Sequence, residues 1–349
     1  MSNYATLALA KGQAIVTSKY NAPELRRQMP TVMELALKNQ HISIPDAQAL
    51  RVSPLRPVDV NYMKTIAPGS ATAKAYNHTG SIGDSGSISV TYVQHVETFS
   101  LNRKIAFNSV ATYEKLLQNQ YEQAWMNLRS RHDTSALSYL KANKNTLTSA
   151  TMNPRLASSG LTWNDTTLAV DITADKANYF IAQLKAGMNS SFYTGEYDVV
   201  CDLQLGAKFE QYMNQGSGNQ FNLGYQFAGC NFTRTQQTVD SAYGLGAVLA
   251  MPKSAFAGLC WNEGLNVKGD FGGEGSTIGI LTTVPDPMGS GAIADLSMYT
   301  QRSDTSGNTT GGSTEDFVDQ WEVTLTVGYV VPPLSLSLDS PVIEFGQAS

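Results

Sequence analysis

Apolar side chains recur at spacings of three and four residues between positions 109 and 141, the pattern of an amphipathic helix. The apolar positions are Tyr113, Leu116, Leu117, Tyr121, Ala124, Trp125 and Leu128. Ser109 is the expected N-cap, and Asp133 the expected cap of a second short helix over Thr134–Lys141. If the two helices are continuous, they form a rod of about 30 residues and roughly 45 Å.

Before this helix the pattern changes to alternation of apolar and polar residues, which is the period of a β-strand. The apolar positions are Ile88, Val90 and Tyr92 in a first run and Phe99, Leu101, Ile105 and Phe107 in a second, which Arg103 interrupts. They follow a turn-rich segment, Thr79–Gly86. The pattern predicts a long polar hairpin over residues 65–107. An isolated two-stranded hairpin is marginally stable in water, so we expect this one to need a partner surface.

Residues 1–64 show little periodicity and carry eight basic against four acidic residues, a charge of +4. A first short helix is expected from Pro23 to Pro30, because proline is tolerated in the first turn and ends a helix later. Thr31 and Glu34 have the spacing of a capping box, which predicts a second helix from Val32 to about Leu37. We interpret the segment as an extended arm that must lie against another surface to be ordered.

Residues 150–318 mix helical and strand patterns, which indicates an α+β unit. Helices are predicted over Ala174–Met188, capped by Thr173, and over Gly206–Asn214. The predicted strands are Asp198–Asp202, Gln220–Phe227, Asn231–Gln236, Gly246–Met251 and Ile278–Thr283. After a polar loop at 301–316, Gln320–Val331 alternates again and should end before Pro332. From residue 301 onward the chain carries one basic and seven acidic residues, a charge of −6.

Composition narrows the class of protein further. Apolar residues make up 42% of the 349, which excludes a disordered chain. Charged residues are only 15%, against about 25% for an ordinary soluble domain, and interface cores are depleted in charge. A net charge of −5 argues against a dedicated nucleic-acid binder. No apolar run is long enough to span a membrane, and no secretion signal is expected at the first residues.

Three short motifs match catalytic signatures without the partners that the chemistry needs. Gly83-Asp-Ser-Gly86 matches a serine-protease nucleophile motif, but only two histidines precede it and no barrel pattern surrounds it. Asp270-Phe-Gly272 matches a kinase motif without a catalytic loop. Gly289–Ala294 resembles a dinucleotide motif, but it follows Pro285-Asp-Pro287 rather than a strand and does not open a long helix. We interpret all three as turns and loops.

The cysteines and histidines are scattered along the chain. Cys201, Cys230 and Cys260 fit neither a disulfide framework nor a zinc site, so buried thiols are expected. His41, His78, His95 and His132 show no metal-ligand spacing, and solvated or interfacial roles are expected for them. No set of nucleophile, base and orienting residue can be assembled from the sequence.

The order of these parts resembles the major capsid proteins of tailed phages, the Hong Kong 97 type. Ala73–Phe107 is similar to that family's extended loop, and Val110–Lys141 to its spine helix. Tyr243–Ala257, with its Met-Pro-Lys turn, resembles a strand and turn of the axial domain. Phe317–Val331, followed by Pro332–Phe345, resembles the paired strands that close the peripheral domain.

The resemblance implies an α+β fold divided into five parts. They are an N-terminal arm (1–64), an extended hairpin loop (65–107), the peripheral domain with the spine helix (108–150), an axial domain (151–316) and return strands of the peripheral domain (317–349).

The function that it implies is self-assembly into hexamers and pentamers of an icosahedral shell around double-stranded DNA, without catalytic site, cofactor or metal. Its partners would be itself, with possible scaffold, portal and decoration proteins, and its location the virion, after assembly in the host cytoplasm. The expected contacts between subunits are Arg26, Arg27, Tyr76, His78, Asp84, Arg103, Lys104, Arg129 and Arg131. The alternatives are another virion protein built mostly of strands, such as a double-barrel capsid or tail-tube protein, and a hydrolase with an unrecognised site.

Overall fold

The computed structural model describes thirteen stretches of the chain. They are residues 9–16, 31–39, 50–51, 58–63, 85–90, 92–102, 113–173, 176, 179–215, 229–262, 280–303, 316–331 and 339–347. The predicted helix from Pro23 to Pro30, the predicted strand Gln220–Phe227 and the kinase-like Asp270–Gly272 lie outside them.

The described helices are 9–16, Val32–Lys38 (the arm helix), Tyr113–Ala142 (the spine helix), Ser149–Leu156, Phe180–Ser190 and Leu203–Gln215, with a 3-10 turn at Ala157–Ser159. The strands are β1 Val58–Met63, β2 Ser85–Val90, β3 Tyr92–Asn102, β4 Thr162–Asn164, β5 Ala169–Ile172, β6 Tyr197–Cys201, β7 Cys230–Arg234, β8 Ala247–Pro252, β9 Ala257–Cys260, β10 Ile280–Pro285, β11 Ile293–Ser303, β12 Asp316–Val330 and β13 Ile343–Gln347. Within the described stretches no helix is long and apolar enough to cross a membrane.

The spine helix is one continuous element of 30 residues, about 45 Å long at 1.5 Å per residue. Of the two arrangements left open by the sequence, the continuous rod is confirmed, and Asp133 is buried inside the chain and does not cap a second helix. The predicted apolar face is confirmed, with Leu117, Tyr121, Trp125 and Leu128 all buried. The helix packs on a five-stranded sheet.

That sheet is built around β12, which pairs antiparallel with β3 along one edge and with β11 and β9 along the other. β10 extends it beyond β11. Buried and more exposed side chains of β12 alternate from Trp321 to Leu325, as the predicted period-two pattern requires, and every residue from Leu325 to Val330 is buried. The core of this layer also contains the arm helix.

A six-stranded sheet in the order β4-β5-β13-β8-β6-β7 forms a second unit with its own apolar cluster. Helices Phe180–Ser190 and Leu203–Gln215 contribute buried side chains to that cluster. The predicted short buried strand near 198–202 is confirmed as β6, whose five residues are all buried. The predicted helix from Ala174 is described as α-helix only from Phe180, with Tyr179 at its N-cap position.

The arm and the hairpin differ from their predicted forms. The arm helix lies in the core of its own subunit, with all residues from Val32 to Leu37 buried, so this part of the arm does not depend on a neighbour. The hairpin legs are β1 and β2, paired from Val58 with Val90 to Met63 with Ser85. Residues 92–102, within the segment predicted as the hairpin loop, form β3, a strand of the five-stranded sheet.

Sheet membership also departs from the predicted boundary between 316 and 317. β10 and β11, expected in the axial domain, pair into the five-stranded sheet with β12. β13, expected to pair with β12, lies instead between β5 and β8 in the six-stranded sheet. Local periodicity identifies strands but does not select their partners, because pairing is decided by contacts distant in sequence.

Candidate functional site

Two of the nine predicted contact residues, Arg129 and Arg131, lie in the described part of the chain, and both are on the spine helix. The other seven are outside the described residues and stay predictions. They are Arg26, Arg27, Tyr76, His78, Asp84, Arg103 and Lys104.

Arg129 was predicted to contact another subunit, and the structure buries it within its own subunit. Its guanidinium forms ion pairs with Glu34 of the arm helix and, at 2.8 Å, with Asp286 in the loop between β10 and β11. Its side chain is only 3% exposed. A buried cation needs partners of opposite charge, and this chain supplies both itself. Arg129 therefore joins three segments of one subunit.

The ends of the arm helix are held by further polar contacts. Thr31 Oγ1 accepts from the Glu34 N–H at 3.3 Å, which confirms the predicted cap. Beyond the other end, the Asn39 side-chain amide donates to Asp198 at 3.3 Å and to the Phe256 carbonyl at 3.1 Å. The capping signal in the sequence predicted where the helix begins. Nothing in the sequence indicated that the helix would pack inside its own subunit.

Arg131 remains accessible, with 54% of its side chain exposed. It forms an ion pair of 3.0 Å with Glu97 on β3 and donates to the Val96 carbonyl at 3.3 Å. An exposed ion pair contributes little to stability, so this guanidinium can exchange its partner at small cost. Of the two described candidates, Arg131 is the exposed one, and its contact with another subunit stays a prediction.

The structure brings together two histidines that are 37 positions apart. The rings of His95 and His132 meet edge to face, with centroids 4.6 Å apart. His132 is fully buried in the spine helix, so the expectation of a solvated or interfacial residue at a helix end is wrong. Its Nε2 lies 3.0 Å from the Leu325 carbonyl and its Nδ1 3.2 Å from the Tyr329 hydroxyl. Burial, together with His95, lowers the pKa of His132 to about 3.

No catalytic arrangement is assembled among the described residues. Ser85 is the first residue of β2, and Gly289–Ala294 spans the turn between two antiparallel strands, where no helix follows to bind a dinucleotide. Burial raises the pKa of Cys201 to about 12 and that of Cys260 as well, so these two thiols are inert, as predicted. Cys230, also predicted to be buried, is only half-buried. No cluster of metal-ligating side chains occurs in the described ranges.

Known proteins similar to this chain were found by comparing structures and not by comparing sequences. No family model and no curated protein matches the sequence. A solved chain of Mycobacterium phage Che8 superposes with a TM-score of 0.51 at 13% identity, covering 92% of both chains. A chain of Mycobacterium phage Bobi gives 0.50 at 9% identity, covering 94% of both. The chain has the Hong Kong 97-type capsid fold.

The Hong Kong 97-type fold agrees with the predicted α+β class and with the predicted spine helix. The long spine helix also distinguishes this fold from the other virion proteins considered as alternatives. A double-barrel capsid or a tail-tube protein was expected to consist mostly of strands without a long helix, and a continuous helix of 30 residues is present here. The domain boundaries and the remaining contact residues stay predictions.

Proposed function

We propose that this chain is the major capsid protein of a tailed double-stranded DNA phage. In this role it assembles into hexamers and pentamers of an icosahedral shell that encloses the genome. The observation that carries the proposal is the Hong Kong 97-type fold, found over 92% of this chain and 92% of the chain from Mycobacterium phage Che8. The role is structural, and the proposal assigns the chain no catalytic activity.

The main partner in this proposal is a second copy of the same chain. Scaffold, portal and decoration proteins are further partners, and DNA is contacted by proximity within the shell, consistent with a net charge of −5. The location is the virion, after assembly in the host cytoplasm. The charge content of 15% supports the proposal, because surfaces covered by neighbouring subunits carry few charges.

Electron microscopy of the purified protein, alone and with its scaffold and portal, tests the proposal. We expect closed shells of uniform size. Protein that stays monomeric under every assembly condition would overturn it.

A deletion variant tests the role of the hairpin separately. Removing residues 72–79, from the segment between β1 and β2, leaves both paired legs intact. We expect a folded monomer with unchanged helical circular dichroism that assembles poorly. Normal shells from this variant would refute a role of the hairpin in assembly while leaving the proposed function standing.

A further inference from the structure

Phe192 has an unusual backbone conformation at the end of helix Phe180–Ser190. Its φ is 67°, in the left-handed region that favours glycine. The Tyr193 N–H donates to the Met188 carbonyl and the Phe192 N–H to the Asn189 carbonyl, both at 3.0 Å. These two bonds define a Schellman motif with phenylalanine at the position usually taken by glycine.

The Phe192 ring gains nothing from its own chain to offset this strain. It is 85% exposed, the highest exposure among the large apolar side chains that the structure describes as exposed. That group consists of Ile15, Tyr179, Phe192, Leu203 and Leu245. Single exposed apolar residues are common on protein surfaces. An exposed aromatic ring on a strained left-handed residue is not, because glycine would serve the isolated chain better.

Two other members of that group lie close together at a different place. Leu203 follows β6 by two residues and is 45% exposed, and Leu245 precedes β8 by two residues and is 37% exposed. β6 and β8 are antiparallel neighbours, so the end of one adjoins the start of the other. Asp202 fixes this junction by accepting from the Ala247 N–H at 2.9 Å.

Phe192 and the leucine pair occupy opposite ends of β6. The Tyr197 hydroxyl, at the start of β6, donates to the Tyr193 carbonyl at 2.7 Å and places the Phe192 turn beside that end. Leu203 lies beyond the other end. Five strand residues separate the two ends by about 16 Å. The unit around the six-stranded sheet therefore carries two different exposed apolar patches, one beyond each end of β6.

We propose that Phe192 of one copy packs against Leu203 and Leu245 of the next copy. Two unlike patches at opposite ends of β6 make a head-to-tail contact between copies, and contacts of this kind close into rings when the rotation permits. This inference rests on the proposed function, which supplies identical copies side by side, and it names the side chains that join neighbours within a ring. The strained Phe192 backbone is then stabilised by burial of the ring in the assembly.

The variant Phe192→Gly separates this role from a role in folding. Glycine suits the left-handed backbone, so we expect the thermal midpoint of the monomer to stay unchanged or rise by up to a few degrees. The yield of shells should fall at least about tenfold, a loss that 1.4 kcal/mol of contact energy would produce. Tyr179→Ala, which trims an exposed side chain at the other end of helix Phe180–Ser190 and outside both patches, is the matched control and should assemble normally.

Crosslinking tests the geometry of the contact directly. The double variant Phe192→Cys/Leu245→Cys, treated with a short bismaleimide in assembled shells, should give a ladder of covalent oligomers that ends at five or six chains. All cysteine variants are made in a Cys230→Ser background, because Cys230 is half-buried whereas Cys201 and Cys260 are buried. Neither single variant should give more covalent oligomers than the Cys230→Ser protein. Dimers from Phe192→Cys alone would indicate a symmetric contact and overturn the proposal.

Failure of this inference differs from failure of the proposed function. If wild-type protein forms shells and Phe192→Gly forms them equally well, the contact is refuted and the capsid role stands. The same holds if the double-cysteine variant assembles but yields no ladder. If wild-type protein forms no shells under any condition, the capsid role itself fails.

Discussion

The carboxylate of Asp133, in the spine helix, accepts a hydrogen bond of 2.6 Å from the backbone N–H of Val32, the first residue of the arm helix. Its second oxygen accepts from Thr235 Oγ1 at 2.9 Å, so the one side chain joins three segments. The first N–H groups of a helix have no partner within it, and a carboxylate at that end is favoured by the helix dipole. Asp133 therefore fixes the arm helix against the spine helix.

Asp133→Asn should destabilise the subunit. Both carboxylate oxygens accept hydrogen bonds from buried donors, and an amide replaces one acceptor by a second donor. We expect the free energy of unfolding to fall by about 1–3 kcal/mol, measured by urea denaturation. Thr134→Ala, at the exposed neighbouring position, is the control and should change it by less than about 0.5 kcal/mol. Equal effects of the two variants would contradict this account of Asp133.

The same residue illustrates what local sequence can and cannot reveal. Asp133 was expected to cap a helix, because an aspartate before Thr134–Lys141 fits the local pattern of a helix start. Its real partners are about 100 residues away in either direction, at Val32 and Thr235. By contrast, the cap at Thr31 was predictable, since its donor is Glu34 in the same turn.

In the candidate site, too, local patterns could be predicted from the sequence and contacts distant in sequence could not. The apolar stripe of the spine helix and the alternation of β12 could be read from the sequence, since both are periodic within one element. The burial of Arg129 could not be predicted from the sequence, because it depends on Glu34 and Asp286. Packing of the arm helix and pairing of the strands bring these two residues to Arg129. The exposure of Phe192 likewise follows from a helix end that no cap residue marked.

Gly328 in β12 lies where β2, one leg of the hairpin, meets the five-stranded sheet. A Cβ atom at this position would overlap Cγ1 of the fully buried Val90 and come within 3.1 Å of the Tyr92 ring. Overpacking of this kind costs about 1–3 kcal/mol. We expect Gly328→Ala to lower the unfolding midpoint and to increase hydrogen exchange at β1 and β2.

The control for this experiment is Gly244→Ala, where no atom lies within 4 Å of the added methyl group. That variant should leave stability and exchange unchanged. If Gly328→Ala behaves like Gly244→Ala, the hairpin legs β1 and β2 are not held by close packing against β12.

His132 should make the subunit less stable in acid. Its pKa in the folded chain is lowered to about 3 from an ordinary value of 6.5, chiefly by burial. Between these values the unfolded chain takes up a proton that the folded chain does not, so stability is lost as the pH falls below 6.5. The loss from this group is about 3 kcal/mol between pH 6.5 and pH 4.

His132→Gln removes this dependence, and the readout is the difference in unfolding free energy between wild type and variant as a function of pH. We expect the difference to shrink by about 3 kcal/mol on going from pH 7 to pH 4. His95→Gln alters only a half-buried neighbour and should preserve most of the wild-type slope. A constant difference between wild type and His132→Gln would show that His132 does not stay neutral in the folded chain.

Glu344 should produce the opposite dependence. Its carboxylate is buried in β13, 2.5 Å from Lys144 Nζ, with Asp240 as a second carboxylate beside it. Burial, reinforced by Asp240 and opposed by Lys144, raises the pKa of Glu344 from 4.5 to about 7. The folded chain therefore holds a proton that the unfolded chain has released, and stability from this group is lost as the pH rises from 4.5 through 7, by about 3 kcal/mol in all.

Glu344→Gln imitates the protonated carboxyl group in shape and hydrogen bonding, so it should abolish this decline. Because His132 and Glu344 act with opposite sign between pH 4.5 and 6.5, the wild-type profile is flatter there than either contribution alone. Removing Glu344 should therefore expose the rise of stability with pH that His132 causes. Glu322→Gln, an exposed position on β12, is the control and should leave the profile unchanged. A Glu344→Gln profile that matches the wild type would mean that Glu344 is ionised in the fold and that Lys144 alone determines its charge state.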